Sequence, residues 1–267
     1  MSATPGAKAQ GAAEPEVTSV VRDGVAHLTM NRPAQYNALS EAMLAALQHE
    51  LEVIAADRSV RVVILRGAGK AFCAGHDLRE MRAQPSLEYY RTLFAQCAKM
   101  MLTIQSLPQP VIAGVHGVAT AAGCQLVAMC DLAVASEVAK FAVSGVNLGL
   151  FCSTPSVALS RNLSRKQAFE MLVTGGFIDA PEALRRGLVN RVVAAEELDA
   201  ELERLAATIV AKPPTAIAMG KELFYRQLEM GIEAAYQLAG QTMACNMMDD
   251  AAQEGTLAFI EKRKPNW

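Results

Sequence analysis

Much that would fix a function class at once is missing from this sequence. No apolar run is long enough to span a bilayer. Lys and Arg number 25 against 27 Asp and Glu, a net charge of -2. The basic residues form no stripe and the aromatics no interleaved run, which argues against a nucleic-acid binder. None of the six cysteines (Cys73, Cys97, Cys124, Cys130, Cys152, Cys245) belongs to a C-x-x-C pair, and most sit in apolar surroundings. Buried, reduced thiols are the expectation. His27, His49, His76 and His116 show no metal-ligand spacing, so no metal site is expected. The opening stretch MSATPGAKAQGAAEPEV has no apolar segment of a secretory signal, and its one Lys with no Arg makes a poor mitochondrial transit peptide. The expectation is a soluble, cytoplasmic protein with residues 1–15 as a disordered tail.

What is present is a sizeable core: 52% of the 267 residues are hydrophobic and 19% charged. EVTSVVRD and VAHLTMNR read as strands joined at Asp23-Gly24, a hairpin signal. Ser40 suits the N-cap of a helix over EAMLAALQHELEVIAADR. VRVVILRG and PVIAGV are short and almost wholly apolar, as strands buried on both faces are. A loop AGKAFCAGHD leads from the first of these into a short helix and then a long one over Leu87 to Ile104, stopped at Leu107-Pro108. A helix near Ala121 to Met129 and strands DLAVAS and KFAV follow. The alternation points to an α/β fold with a largely parallel sheet, residues 16–195. From 196 to 267 the sequence reads as four helices, suited to covering an edge or making a subunit contact.

Two loops can carry chemistry. In Ala71-Phe72-Cys73-Ala74-Gly75-His76-Asp77-Leu78, Gly75 permits a tight turn, and the N–H groups after it stand at a helix start without internal partners. In His116-Gly117-Val118-Ala119-Thr120-Ala121-Ala122-Gly123-Cys124-Gln125, small residues crowd another helix start, so a ligand can approach the backbone. Two such donors aimed at one point form an oxyanion hole, which stabilises the charge that develops on a thioester oxygen as an enolate forms.

Together the loops resemble those of the enoyl-CoA hydratase/isomerase, or crotonase, superfamily. LTMNRPAQYNALS, AFCAGHDL, HGVATAAGCQLVAMCDLAVAS, VNLGL, MLVTGGFIDAPEALRRGLVNRVV and AFIEKRKP all fit in order. The resemblance implies a crotonase-like spiral of ββα units with a C-terminal helical region that mediates trimers, often paired into hexamers. It implies an acyl-CoA substrate of fatty acid metabolism, with coenzyme A entering as part of that substrate and no separate cofactor. Carried over by position, the oxyanion donors are His76 and Ala122, with Ala121 beside the second. Ala74, His76, Asp77, Leu78 and Arg79 line the thioester and adenine side of CoA. Arg32 stands where cationic contacts to CoA phosphates are made, and Phe259 and Lys262 touch CoA, from a neighbouring subunit.

The sequence departs from the pattern at both catalytic glutamates. Their positions hold Gln125 and Gly145. A Gln side chain cannot take a proton and Gly has none to offer, so the hydratase (lyase) chemistry the family implies lacks its usual acid and base. Candidates to replace them are Gln125 and Ser153 holding a water, with Thr154 near the same place and His76 able to act through its imidazole. Ser153 and Thr154 also suit an N-cap of the helix that follows. Cys152 is a remote candidate nucleophile, with no His near it in sequence. Asp77 and Glu80 suit charges at a helix N-terminus. Decarboxylation, thioester hydrolysis and non-catalytic acyl-CoA binding are the alternatives to hydration. A subgroup of the family shares GHDL, ATAAGCQLVA, GVNLGLFCSTP and the ending KRKPxW.

Overall fold

A computed structural model describes residues 14–267. The expected tail over residues 1–15 therefore lies almost wholly outside the described residues. Strands β1 (Val17–Arg22) and β2 (Val25–Met30) form the expected antiparallel hairpin, and Asp23 and Gly24 both take positive φ, 49° and 78°. That is the twist a two-residue turn between right-handed strands requires. In α1 (Glu41–Ala56) the Ser40 hydroxyl accepts the Met43 N–H at 3.1 Å, capping the helix as its sequence suggested.

Three rounds of one pattern follow. The strand β3 (Val62–Gly67) is followed by β4 (Ala71–Cys73), then α2 (Leu78–Ala83) and α3 (Leu87–Ser106). Next come β5 (Val111–Val115), β6 (Val118–Thr120) and α4 (Ala122–Met129), then β7 (Leu132–Ser136), β8 (Lys140–Ala142), α5 (Ser153–Asn162) and α6 (Arg165–Thr174). The first strand of each round enters one sheet and the second enters another. After β9 (Ile178–Asp179), α7 (Ala180–Arg186) and β10 (Arg191–Val193), the large sheet reads β1-β2-β3-β5-β7-β10 and the small one β4-β6-β8-β9. Apart from the hairpin and the β8–β9 pair, neighbouring strands are parallel. This is the crotonase spiral of ββα units. Of the small sheet, β8 is the strand expected from KFAV, while β4 and β6 lie in segments that read as loops in the sequence, because strands of three residues are too short to show a period.

The central strands are apolar throughout because both faces are covered. Val63, Leu65 and Ala113 point into the larger core with Phe72, Phe141, Met100 and the helices α1, α3 and α4. Their alternates Val62, Ile64, Ile112 and Val134 pack against Leu198, Leu202, Leu205 and Ala206 of α8 (Leu198–Val210). So the first of the four tail helices covers a sheet face.

The others, α9 (Pro214–Leu228), α10 (Ile232–Met247) and α11 (Asp250–Glu261), bury few side chains. One that is buried, Lys221, ties α9 down. Its Nζ donates to the carbonyls of Ile104 (2.9 Å) and Gln109 (3.0 Å) and to Asp131 Oδ2 (2.6 Å), while the Tyr225 hydroxyl donates to Asp131 Oδ1 at 2.8 Å. Burial lowers the Lys221 pKa and the Asp131 carboxylate opposes the shift. Along the rest of the arm Ile232, Tyr236, Met243, Met248, Phe259 and Ile260 are exposed. No helix among the described residues is long and apolar enough to cross a membrane.

Candidate functional site

The two loops singled out in the sequence meet in space. β4 pairs with β6, so the segments that leave them run side by side. A Cβ on Gly75 would stand 2.9 Å from Ala121 Cβ and 3.2 Å from the Ala122 nitrogen. Gly75 also takes φ +91°, a region open to glycine. Any side chain at 75 would be strained and would sit in front of the Ala122 N–H. A Cβ on Gly123 would fall on the Cys73 carbonyl, so that glycine lets α4 press its N-terminus against β4.

Backbone bonding gives the direction of the first donor. The Leu39 N–H donates to Gly75 O (2.8 Å) and the Asp77 N–H donates to Leu39 O (3.3 Å), which makes Leu39 and His76 a parallel bridge. Both neighbours of His76 thus face Leu39, and His76 turns its own N–H the opposite way. That N–H has no acceptor among the described residues. The second donor is aimed by strain. Ala121 takes φ 51° and ψ -120°, rare for a residue with a side chain, while its N–H donates to Ala142 O at 3.0 Å and its carbonyl accepts the Gln125 N–H at 3.1 Å. Such a conformation costs about 1–3 kcal/mol and persists where the surroundings impose it. It leaves Ala122 as the first residue of α4, its N–H free of any acceptor among the described residues and at the positive end of the helix dipole.

Asn37 fastens this half of the site, a role the sequence reading did not give it. It is fully buried at φ 54°. Its amide donates to the carbonyls of Ala68 (2.8 Å), Ala71 (2.8 Å) and Phe72 (3.2 Å), and its Oδ1 accepts the Arg32 N–H at 3.0 Å. The only signal in the sequence was an Asn in a turn, the residue that tolerates a left-handed backbone best after glycine. Asp77 caps α2, its Oδ1 accepting the Arg79 N–H at 3.0 Å, and Glu80 accepts the Glu41 N–H at 3.0 Å.

The rest of the site is neutral. Gln125, 5% exposed, lies about one turn along α4 from Ala122. Its Oε1 has no partner. The His76 ring packs edge-on against Phe94, centroids 5.4 Å apart, and neither ring nitrogen has a hydrogen-bond partner. Burial pushes the His76 pKa below its ordinary value, with the nearby Leu39 backbone opposing, so the imidazole is neutral at neutral pH. Gly145 follows β8 in a turn tied to β6 by Thr120 Oγ1 and Ser144 Oγ, 3.0 Å apart. A Cβ there would fall on the Leu150 carbonyl and stand 2.7 Å from Cys152 Sγ, the atom that accepts the Gly145 N–H at 3.3 Å. The position has no room for a larger residue.

Other expected residues are placed differently. Ser153 is exposed and its hydroxyl donates to Phe151 O at 3.3 Å, which leaves it no free hydrogen toward Gln125. The N-cap of α5 is Cys152, with no side-chain cap bond, so neither Ser153 nor Thr154 fills that role. Burial raises the Cys152 pKa, which keeps it a thiol. The Arg32 guanidinium is held inside the protein, by Asp77 Oδ2 and Ala38 O (both 3.3 Å) and by Glu16 (3.2 Å), rather than free for a phosphate. Ala74 lies beside Gly75 with its N–H donating to Tyr36 O at 3.0 Å, while Leu78 and Arg79 are exposed on α2. Phe259 and Lys262 are exposed at the far end of the arm, on α11 and its C-cap.

A ββα spiral with two converging strand-to-helix loops defines a crotonase-type protein. The enoyl-CoA hydratase/isomerase family model matches residues 21–267, and the chain belongs to that family. The subgroup that its motifs resemble is that of enoyl-CoA hydratase domain-containing protein 3. The mitochondrial mouse protein of that name is 46% identical over 255 residues, 95% of this chain and 85% of its own. Among solved structures, the human protein of that name is 44% identical with a TM-score of 0.92, over 94% of this chain and 100% of that one. An enoyl-CoA hydratase from Mycobacterium smegmatis is 65% identical with a TM-score of 0.94, over 95% of this chain and 99% of that one. The expected cytoplasmic location does not stand. The mouse, rat and human relatives are named as mitochondrial. The weak resemblance of the N-terminal stretch to a transit peptide was no ground for a compartment, and most of that stretch lies outside the described residues.

Proposed function

We propose that this protein binds an acyl-CoA thioester, holds its carbonyl oxygen between the N–H groups of His76 and Ala122, and stabilises the enolate that forms there. The observation that carries this reading is the pair of unpartnered backbone donors, one turned away from Leu39 and one fixed by the strained Ala121. Such donors are worth most in a water-excluded site, because they need no reorganisation as charge develops. The nominal reaction is reversible hydration of an enoyl-CoA in fatty acid metabolism. Gln125 supports it by holding a water, with Ser153 Oγ, whose hydrogen goes to Phe151 O, left to accept from that water. The exposed apolar residues of α10 and α11 support self-association as a trimer or a pair of trimers, with Phe259 and Lys262 reaching a neighbour's CoA.

The neutral chemistry of Gln125 and Gly145 favours a second reading, a reaction that needs the hole but no carboxylate, such as decarboxylation or thioester hydrolysis; binding without turnover is its limit. The test is to incubate the protein with crotonyl-CoA, methylmalonyl-CoA and saturated acyl-CoAs. Loss of the enoyl thioester absorbance would report hydration, and product masses would report the rest. Hydration of crotonyl-CoA supports the first reading. Carbon dioxide or free CoA without hydration supports the second. No product with measurable thioester affinity leaves binding, and no affinity for any thioester overturns the proposal.

A further inference from the structure

The Ala122 donor depends on a strained neighbour, and strain has to be held from somewhere. Ala121 keeps φ 51° and ψ -120° while α4 stays in place, because its carbonyl accepts the Gln125 N–H of that helix. α4 has 8 residues, a length of about 12 Å. Every residue from Ala122 to Ala128 is buried. A helix so short and so closely packed does not shift at one end alone. Its far end therefore bears on the donor.

Polar groups fasten that far end. From α5 the Asn162 amide donates to Ala128 O at 2.9 Å. A larger fastening is made by Asp131, the residue after the C-cap Cys130. Its Oδ2 accepts the Val111 N–H at the start of β5 (2.6 Å) and a proton of Lys221 Nζ (2.6 Å), while its Oδ1 accepts the Tyr225 hydroxyl (2.8 Å). Lys221 directs its other two protons at Ile104 O and Gln109 O, near the end of α3 and just before β5. One ammonium group from the arm thus ties together the ends of α3 and α4 and the entry to β5. Only 6% of the Lys221 side chain and 12% of the Asp131 side chain are exposed.

Stability alone is a poor reason for this arrangement. Taking two charges out of water costs about as much as their attraction returns, and apolar residues of the same bulk often serve as well. Directional bonds supply something that apolar packing does not, a single fixed position. An apolar contact tolerates sliding, whereas an ammonium with three acceptors does not.

Resting on the proposed oxyanion hole, we infer that Lys221 is a positioning residue for it: through Asp131 it fixes the C-terminal end of α4 and so keeps the Ala122 N–H aimed at the thioester oxygen. The same ion pair ties α9 to the body, so the placement of the arm and the aim of the donor are set together.

The test uses the full chain with butyryl-CoA labelled with ¹³C at the thioester carbonyl, followed by infrared difference spectroscopy and, separately, by thermal melts. Lys221→Met leaves the Asp131 carboxylate buried without its cation and is expected to lower the melting temperature. Lys221→Met combined with Asp131→Asn removes both charges, keeps the bulk, and is expected to melt nearer to the wild type. Both are expected to lose about half or more of the bound carbonyl's frequency shift, since a donor turned off its axis makes a weaker hydrogen bond. Tyr225→Phe takes one bond from Asp131, leaves the ion pair, and is expected to lose a smaller part of the shift. A wild-type shift in every variant that folds would overturn the inference, whatever the melts show, because a group that only stabilises changes the melting temperature and not the frequency in the folded protein. If the unaltered protein binds no thioester, or binds it with no carbonyl shift, the proposed function falls instead, and this inference with it.

Discussion

The site has two halves, and they are built differently. The donor half, Gly75 to His76 and Ala121 to Ala122, is over-determined: a positive-φ glycine, a strained alanine, a fully buried asparagine with four hydrogen bonds and close contact between the loops all hold it. The half that would move protons is under-supplied. It holds a carboxamide, a glycine packed against a carbonyl and a thiol, and an unpaired neutral imidazole. Donor geometry depends on the backbone, so the fold can keep it whatever the side chains do. Proton transfer depends chiefly on side chains, and the two positions where the family resemblance expects glutamates hold Gln125 and Gly145. On the proposed function, the contrast makes binding and enolate stabilisation the durable part of this architecture.

The sharpest way to break the contrast is Ala122→Pro. Proline is tolerated at the first position of a helix and deletes the donor N–H. Any turnover that depends on the hole should fall about 10²–10³-fold, about 3–4 kcal/mol, as read by single-turnover kinetics. A smaller loss follows from Asn37→Ala, which leaves three carbonyls of the first loop without their donor. We expect about 2–4 kcal/mol of destabilisation by denaturant melts, with weakened acyl-CoA binding in the fraction that folds. The other half is tested by Gln125→Glu with and without Gly145→Ala. The single variant supplies one carboxyl and should raise crotonyl-CoA hydration. Gly145→Ala alone should cost about 1–3 kcal/mol by overpacking. Gly145→Glu pushes a larger side chain into the same contact, so restoring both carboxyls is expected to disturb the Leu150 turn and lose the gain.

The smallest effect expected is in pH dependence. The folded pKa of His76 lies below its unfolded value near 6.5. Between the two, the unfolded chain takes up a proton that the folded protein refuses. This residue's contribution is therefore flat above about pH 7 and turns against folding as pH falls through that window. His76→Asn keeps the backbone donor and should flatten that part of the stability profile, as followed by thermal melts from pH 7.5 to 5.

The two loops of the donor half were legible in sequence because their determinants are local, while the choice of His76 and Ala122 within them came from the family resemblance. Gly75 before a helix and a run of small residues at the start of α4 are signals a single strand of text carries, and so were the Ser40 cap and the Asp23-Gly24 hairpin. What stayed hidden depends on distant partners. The strands β4 and β6 are too short for periodicity. The bonds of Asn37 reach residues more than thirty positions away. The capture of Arg32 by Asp77 spans 45 positions, and the obstruction at Gly145 comes from a chain reversal seven residues later. Ser153 was chosen for its residue type near a plausible place, and its hydroxyl proved to be turned to a local carbonyl.

The central claim is that a thioester carbonyl lies between the His76 and Ala122 N–H groups. Infrared difference spectroscopy of an acyl-CoA labelled with ¹³C at the thioester carbonyl tests it most directly. The account predicts that the carbonyl stretch moves to lower frequency on binding and that Ala122→Pro abolishes most of the shift. A bound carbonyl with the frequency it has in water, or a shift that Ala122→Pro leaves in place, would contradict it.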